Sequence, residues 1–152
     1  MRKSLFAVAA FIAALPAFAS TDVGVVKVSQ GPVQIEREGR SVPATVGMAV
    51  RASDTLRTGA NGSAGVTFAD NSLVSVGPNT VFTIDKYRFD STTHAGEFEG
   101  SLKKGKLAAV SGKMVKQTPE SMKIRTPSSV MAVRGTEFVV QVDEPATTAA
   151  KR

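Results

Sequence analysis

From Thr55 to Ile84, apolar and polar residues alternate with a period of two, and clusters of turn-forming residues interrupt the alternation at short intervals. Ala64, Val66 and Phe68 fall on one side of an extended segment and Ser63, Gly65 and Thr67 on the other, which predicts a strand with one buried face. Ala69-Asp70-Asn71-Ser72 then predicts a turn, because Asp and Asn bond to nearby backbone and tolerate positive φ. Leu73 to Val76 and Val81 to Ile84 repeat the strand pattern on either side of a second turn, Gly77-Pro78-Asn79-Thr80. The stretch reads as a β-meander, entered through the tight bend Arg57-Thr58-Gly59-Ala60-Asn61-Gly62.

The remaining chain keeps the same rhythm. Val23 to Val28 and Val33 to Glu36 predict strands joined by the turn Ser29-Gln30-Gly31-Pro32, and a second turn sits at Glu38-Gly39-Arg40. Pro43 demotes the next segment to an edge or an irregular link, since proline has no N–H for a central ladder. Beyond Ile84 the pattern loosens, with Tyr87 and Phe89 on one face, and Ser91-Thr92-Thr93-His94 predicts a polar loop tip. Ala95 to Gly100, Lys106 to Val110, Lys113 to Lys116, Met122 to Arg125 and Glu137 to Val142 predict further short strands, with Gly105 and Ser111-Gly112 as breaks. Gly135 is expected at a φ that other residues resist, aiming the last strand back into the sheet. Strands at this spacing leave no window for a long amphipathic helix. The fold class is therefore all-β, an antiparallel and strongly twisted or solenoid-like roll of short strands, with a jelly-roll sandwich as the alternative.

These signals, taken in order, resemble the FecR domain family. The matching segments are the entry Asp54-Thr55-Leu56-Arg57-Thr58-Gly59, the turn Phe68-Ala69-Asp70-Asn71-Ser72, the turn Gly77-Pro78-Asn79-Thr80 and the glycine-bracketed strand from Gly100 through Gly105 to Leu107. Thr126-Pro127 followed by Val133-Arg134-Gly135-Thr136-Glu137-Phe138 is similar to the family's closing motif, the most specific part. Coverage runs roughly from Gly24 to Val142. Family members commonly carry Asp-Gly-Ser at the first turn where this chain has Asp70-Asn71-Ser72, and Asn is the best replacement for Gly at positive φ. On this resemblance Asp54, Thr58, Gly59, Phe68, Asp70, Gly77, Gly105, Thr126, Pro127, Arg134, Gly135, Thr136 and Phe138 are structural motif residues.

The N-terminus sets the expected compartment. Arg2 and Lys3, the apolar run Leu5 to Leu15 and the small-residue pattern Ala17-Phe18-Ala19 predict a secretory signal peptide over residues 1–19. The run is about eleven residues against the roughly 20 that span a bilayer, so no transmembrane helix is expected in the mature chain. Residues 20–142 form the expected FecR-like β domain and 143–152 a flexible tail. No cysteine follows the cleavage site or occurs anywhere, so stability rests on packing and sheet hydrogen bonds. The sensor members of the family imply a membrane-spanning regulator that reads an outer-membrane transporter and controls a sigma factor. Without a spanning helix or a sigma-binding segment, this chain is expected to signal only through a separate membrane protein.

Charge and chemistry narrow the function. Loss of Arg2 and Lys3 with the leader lowers the formal net charge from +6 to +4. Lys103, Lys104, Lys106, Lys113, Lys116, Lys123 and Arg125 form a basic block with Glu120 as its only acid. A charge run of this kind is ordinarily a solvated face; its functional reading, for Lys103, Lys104, Lys106, Lys113 and Lys116, is contact with an anionic partner, and export removes nucleic acid from the choices. His94 is the only histidine, no nucleophile elbow or phosphate loop occurs, and the carboxylates show no metal-ligand spacing. Glu97 and Glu99, on one face of a strand, are the nearest approach to a glycosidase pair, and Asp54 reads as a turn or backbone acceptor. Arg134 and Glu137 form a candidate surface pair across a bend. No catalytic, metal or cofactor site is expected. The sequence thus predicts a non-catalytic, periplasmic binding or signal-sensing module of a Gram-negative bacterium, contacting an envelope protein or anionic envelope polymer. The alternative is a structural, self-assembling envelope or cell-surface protein, and the oligomeric state stays open.

Overall fold

The computed structural model describes residues 21–143, so the leader and the tail from residue 144 lie outside the described residues. Twelve strands and one short helix make up the described chain: β1 (Asp22–Gln30), β2 (Val33–Arg37), β3 (Arg40–Pro43), β4 (Ala49–Arg51), β5 (Thr55–Thr58), β6 (Ser63–Phe68), β7 (Leu73–Val76), β8 (Val81–Phe89), β9 (Gly96–Val110), α1 (Lys113–Gln117), β10 (Met122–Arg125), β11 (Val130–Ala132) and β12 (Glu137–Val142). The hydrogen-bonded order is β3-β2-β5-β8-β9-β7-β6-β1-β4, with β10 and β12 also paired to β9 and β11 to β10. The fold is all-β, a curled antiparallel half-barrel of many short strands, as the alternation predicts.

The meander is where the pattern placed it. Ala64, Val66 and Phe68 of β6 point inward and Ser63, Gly65 and Thr67 outward, because period-two alternation leaves one face for the core. Glu38 and Gly39 both take positive φ and join β2 to β3 as a two-residue hairpin, the turn geometry that matches strand twist. Pro43 ends β3, an edge strand. Asn71 takes a φ of 66°, the left-handed position expected at this turn. The expected positive φ at Gly135 is present, at 110°.

β9 organises the molecule. Up to Lys104 it pairs with β8 and, on its other side, with β10; from Gly105 on it pairs with β7 and β12. Two sheets therefore share one strand: sheet I is β4-β1-β6-β7-β9-β12 and sheet II is β3-β2-β5-β8-β9-β10-β11. Both must turn apolar residues inward, and Phe98, Gly100 and Leu102 do so for sheet II while Leu107 and Ala109 do so for sheet I. The interval from 102 to 107 is odd, so strict alternation would expose one set. An extra residue at Lys103 in the ladder with β8, followed by Gly105 at a φ of 95°, resets the phase.

Between the sheets Phe68, Tyr87 and Phe98 form an aromatic cluster with ring centroids 4.9–5.7 Å apart. Phe82, Ile35, Leu56, Ile84, Leu102, Leu107, Met122 and Ile124 fill the interior around it. A second bulge, at Asp85 in β8, puts Ile84 and Tyr87 on the same inner face despite their odd spacing.

Four sequence expectations are corrected. The Gly105 break lies inside a single fifteen-residue strand. The strand expected at Lys113–Lys116 is the helix α1, because the adjacent residues Met114 and Val115 are both buried and a strand cannot bury neighbours on one face. β10 pairs with β9 in parallel, the crossover between them passing through α1. Arg134 forms its ion pair with Glu120, not with Glu137, since Glu137 belongs to β12 and α1 is followed by the loop that presents Glu120.

Candidate functional site: two unlike sheet faces and an open edge

The outer face of sheet II is laced with polar cross-strand pairs. Lys86 Nζ lies 2.6 Å from Glu97, Arg57 Nε lies 2.9 Å from Glu36, and Thr55 and Thr83 hydroxyls are 2.8 Å apart. Ser101 donates to Asp85, and Glu99 sits in register between Lys86 of β8 and Lys123 of β10. Such neighbours hold one another and water, which is how a solvated sheet face is built.

The outer face of sheet I differs. One row across it reads Val28, Gly65, Ser75, Ala108, Val139, and the next reads Val25, Thr67, Leu73, Val110, Glu137. Glu137 is the only charge in the two rows. Val28 is 46%, Leu73 45% and Val139 57% exposed, so large apolar side chains stand on this face around a strip of small residues. Among the described residues, three of the six exposed large apolar side chains share this face, the others being Val46 and, on β11, Val130 and Met131, and an exposed apolar cluster is a candidate contact surface.

The edges also differ. β3 carries Arg40 and Pro43, β4 has three residues and ends at Arg51, and β11 has three residues. Shortness, charge and proline are the usual protections of an edge. β12 is less protected: Glu137 at its start is its only charge, Phe138-Val139-Val140-Gln141-Val142 has neither charge nor proline, and the strand pairs only with β9 among the described residues.

The basic block does not form one patch. Lys103, Lys104 and Lys106 gather at the β9 bend, where Lys104 and Lys106 line a shallow cleft of about 410 Å³ with Pro78, Asn79, Gln141 and Asp143. Lys113 and Lys116 lie on α1, past the far end of β9. Lys123 and Arg125 project from β10 onto the outer face of sheet II.

The motif residues are joints. Asp54 is 1% exposed and accepts hydrogen bonds from Arg37 Nε at 2.8 Å, Arg37 Nη2 at 2.6 Å and the Arg51 backbone N–H at 2.8 Å. That bond pushes the Arg37 guanidinium pKa upward, against a desolvation effect that lowers it. Thr58 donates to the Gly77 carbonyl at 2.6 Å and accepts from the Thr80 N–H at 2.9 Å, tying the meander's entry to its second turn. Gly59 donates to the Pro32 carbonyl at 2.9 Å. Asp70 accepts from the Ser72 hydroxyl at 2.6 Å, the Ser72 N–H at 3.1 Å and the Tyr87 hydroxyl at 3.0 Å, all buried. Burial, and then the Asp70 charge, push the Tyr87 pKa far up. Thr126 caps the turn around Pro127 by accepting from the Ser129 N–H at 3.1 Å. The carbonyls of Gly135 and Thr136 accept from Ser111, which seats β12, and Phe138 packs half-buried against the core. Arg37 and the Tyr87–Asp70 bond carry no sequence signal, since both join residues 17 apart through the fold alone.

Catalytic geometry is not assembled from the candidates. His94 stacks on Phe89, 6.1 Å between ring centroids, in the loop after β8. The hydrogen bond that Lys86 donates to Glu97, ahead of the attraction of Lys86 and Arg88, pulls the Glu97 carboxyl below the usual carboxylate range, the direction opposite to that of a general acid. No group of three or more potential metal ligands occurs among the described residues.

Residues 54–151, more than half of the chain, match the family described as FecR protein. The chain belongs to the FecR family. FecR is a signal-transducing, sensing family associated with the cell envelope, regulatory rather than enzymatic. The match opens at Asp54, so β1 to β4 precede the FecR segment while contributing two edges and much of the core. No helix among the described residues is long and apolar enough to cross a membrane. Comparison with curated proteins and with solved structures gave no match.

Proposed function

We propose that this FecR-family chain is an exported, non-catalytic sensing module of a Gram-negative envelope, working in the periplasm by docking a protein partner onto the outer face of sheet I. The observation that carries this is the contrast between the faces. From β2 to β9, sheet II satisfies its outward side chains through ion pairs and hydrogen bonds within the chain, whereas sheet I presents Val28, Leu73 and Val139 around Gly65, Ser75 and Ala108, with its charges, Lys27, Lys106 and Glu137, at the margins. Association that buries such a face gains roughly 25 cal/mol per Å² of apolar surface, while burying sheet II would strip charged groups of water. Since the chain then acts by contact, any signal passes onward through a separate membrane protein.

A photoreactive side chain at Leu73, in the envelope of the producing cell, is expected to trap a protein adduct; the same group at Thr83, on sheet II, is expected to trap none. Equal trapping from both positions, or none from either, overturns the reading.

The gathering of Lys103, Lys104 and Lys106 at the β9 bend favours a second reading, in which an anionic envelope polymer is held at the cleft beside Asn79 and Gln141. Binding of that kind weakens steeply with salt, because the screening length falls to about 3 Å near 1 M. Lys113 and Lys116 take no part, and their replacement leaves the binding unchanged. Binding that is indifferent to salt removes this reading.

A further inference from the structure

We infer that two copies of this chain pair through β12, antiparallel about a two-fold axis at Val139, merging two copies of sheet I into one. This goes beyond the proposed docking function and does not depend on it.

The hydrogen-bonding phase of β12 is fixed by its neighbour. Ser111 N–H donates to the Thr136 carbonyl, so residues 136, 138, 140 and 142 direct their backbone groups toward β9. Alternation then turns the N–H and C=O of Glu137, Val139 and Gln141 to the open edge, where no described strand meets them. Unpaired backbone groups on a charge-poor edge are a template for another strand.

The side chains select the register. With Val139 on the axis, Val139 of each copy faces Val139 of the other on the outer surface, and Glu137 faces Gln141, a neutral side chain whose amide donates to Asp143 of its own chain at 2.7 Å. On the inner surface Phe138, half-buried at the margin of the core, faces Val140 of the second copy. An axis at Val140 instead sets Glu137 against Asp143, two like charges in direct opposition, which is destabilising. An axis at Phe138 sets Glu137 against Val139. The centred register is the one that matches apolar to apolar and leaves no like charges facing.

A second copy fits this edge for another reason. The self-pairing is isologous, so it closes at two and consumes both open edges, leaving β3, β4 and β11 with their own protections. Pairing also carries the outer face of sheet I unbroken from one copy into the next.

The chain has no cysteine, so single substitutions report the register directly. Residues facing each other in a hydrogen-bonded antiparallel pair have Cα atoms about 5.5 Å apart, within the range a disulfide bridges. Val139→Cys in the full mature chain is expected to give a disulfide-linked dimer under mild oxidation. Glu137→Cys, on the same strand and face, is expected to give none, because in this register its Cα lies about 13 Å along the strand from its counterpart, four residues at about 3.3 Å each. Val139→Lys, which places two ammonium groups on the axis of an exposed position, is expected to shift the protein from dimer to monomer in size-exclusion chromatography while its circular dichroism is unchanged. Monomeric wild-type protein at every concentration tested, or cross-linking from Glu137→Cys as strong as from Val139→Cys, overturns the inference. Either result leaves the Leu73 trapping experiment standing, so the two proposals fail separately.

Discussion

Gly105 and Thr80 stand closer than any side chain on residue 105 would allow: a Cβ there would lie 2.2 Å from Thr80 Oγ1, and the backbone holds a φ of 95°. The same Thr80 hydroxyl accepts the Lys106 N–H at 3.1 Å, so the contact is also the fastening of the bend. Gly105→Ala incurs the positive-φ penalty of about 1–2 kcal/mol and must in addition displace Thr80. A loss of roughly 3 kcal/mol in denaturant unfolding is expected, one of the larger single-residue effects. Gly39→Ala, at positive φ with open space around it, is expected to cost only the conformational share.

Arg37 and Asp54 are unequal partners. Asp54 is 1% exposed and the Arg37 side chain 24%. Arg37→Ala abandons a buried carboxylate, for which about 3 kcal/mol is expected; Asp54→Ala leaves a guanidinium that can rehydrate, so about 2 kcal/mol is expected. The double change Arg37→Met with Asp54→Leu should lie nearer the wild type than Arg37→Ala. Urea midpoints at constant slope measure all three.

Tyr87 is the only tyrosine and there is no tryptophan, so tyrosinate absorbance reports one group. Burial and Asp70 raise its folded pKa above the ordinary value of 10.0. The folded state therefore keeps the proton longer than the unfolded chain does. Stability from this group is full below pH 10 and is lost as pH rises from there toward the folded pKa. Alkaline unfolding and tyrosinate appearance are expected to coincide. Tyr87→Phe is expected to cost about 1 kcal/mol at neutral pH through the lost hydrogen bonds and to flatten the alkaline decline.

Asn71 tests the one departure from the family's turn. With φ at 66°, Asn71→Gly is expected to change stability by a few tenths of a kcal/mol, whereas Asn71→Ala should cost about 1 kcal/mol. Thermal unfolding of the two variants side by side decides it.

What could be read beforehand follows from physics that acts locally. The alternation in β6, the positive φ at Asn71 and Gly135 and the edge position of Pro43 each depend on a few consecutive residues, and each was legible. The loosening after Ile84 is the sequence trace of the bulge at Asp85, which shifts the inward set to Tyr87 and Phe89. Gly105 reads as a break for a similar reason: a phase change and a strand end look alike when neighbouring strands are unknown. Lys113–Lys116 misled because Met114 and Val115 are too short a pair to distinguish helix from strand. The unlike outer faces were hidden altogether. Gly65, Ser75 and Ala108 come from three strands, and only the registers set them in one row between Val28 and Val139.

The shared strand has a consequence for how the chain is made. The eight strands that precede β9 divide into two separate groups of four, β3-β2-β5-β8 and β4-β1-β6-β7, and nothing but β9 stands between Val81–Ile84 and Leu73–Val76 in the ladder. A nascent chain that has emerged as far as His94 holds two unfinished halves, each with a bare flank awaiting the same fifteen residues. Closure must come late and all at once.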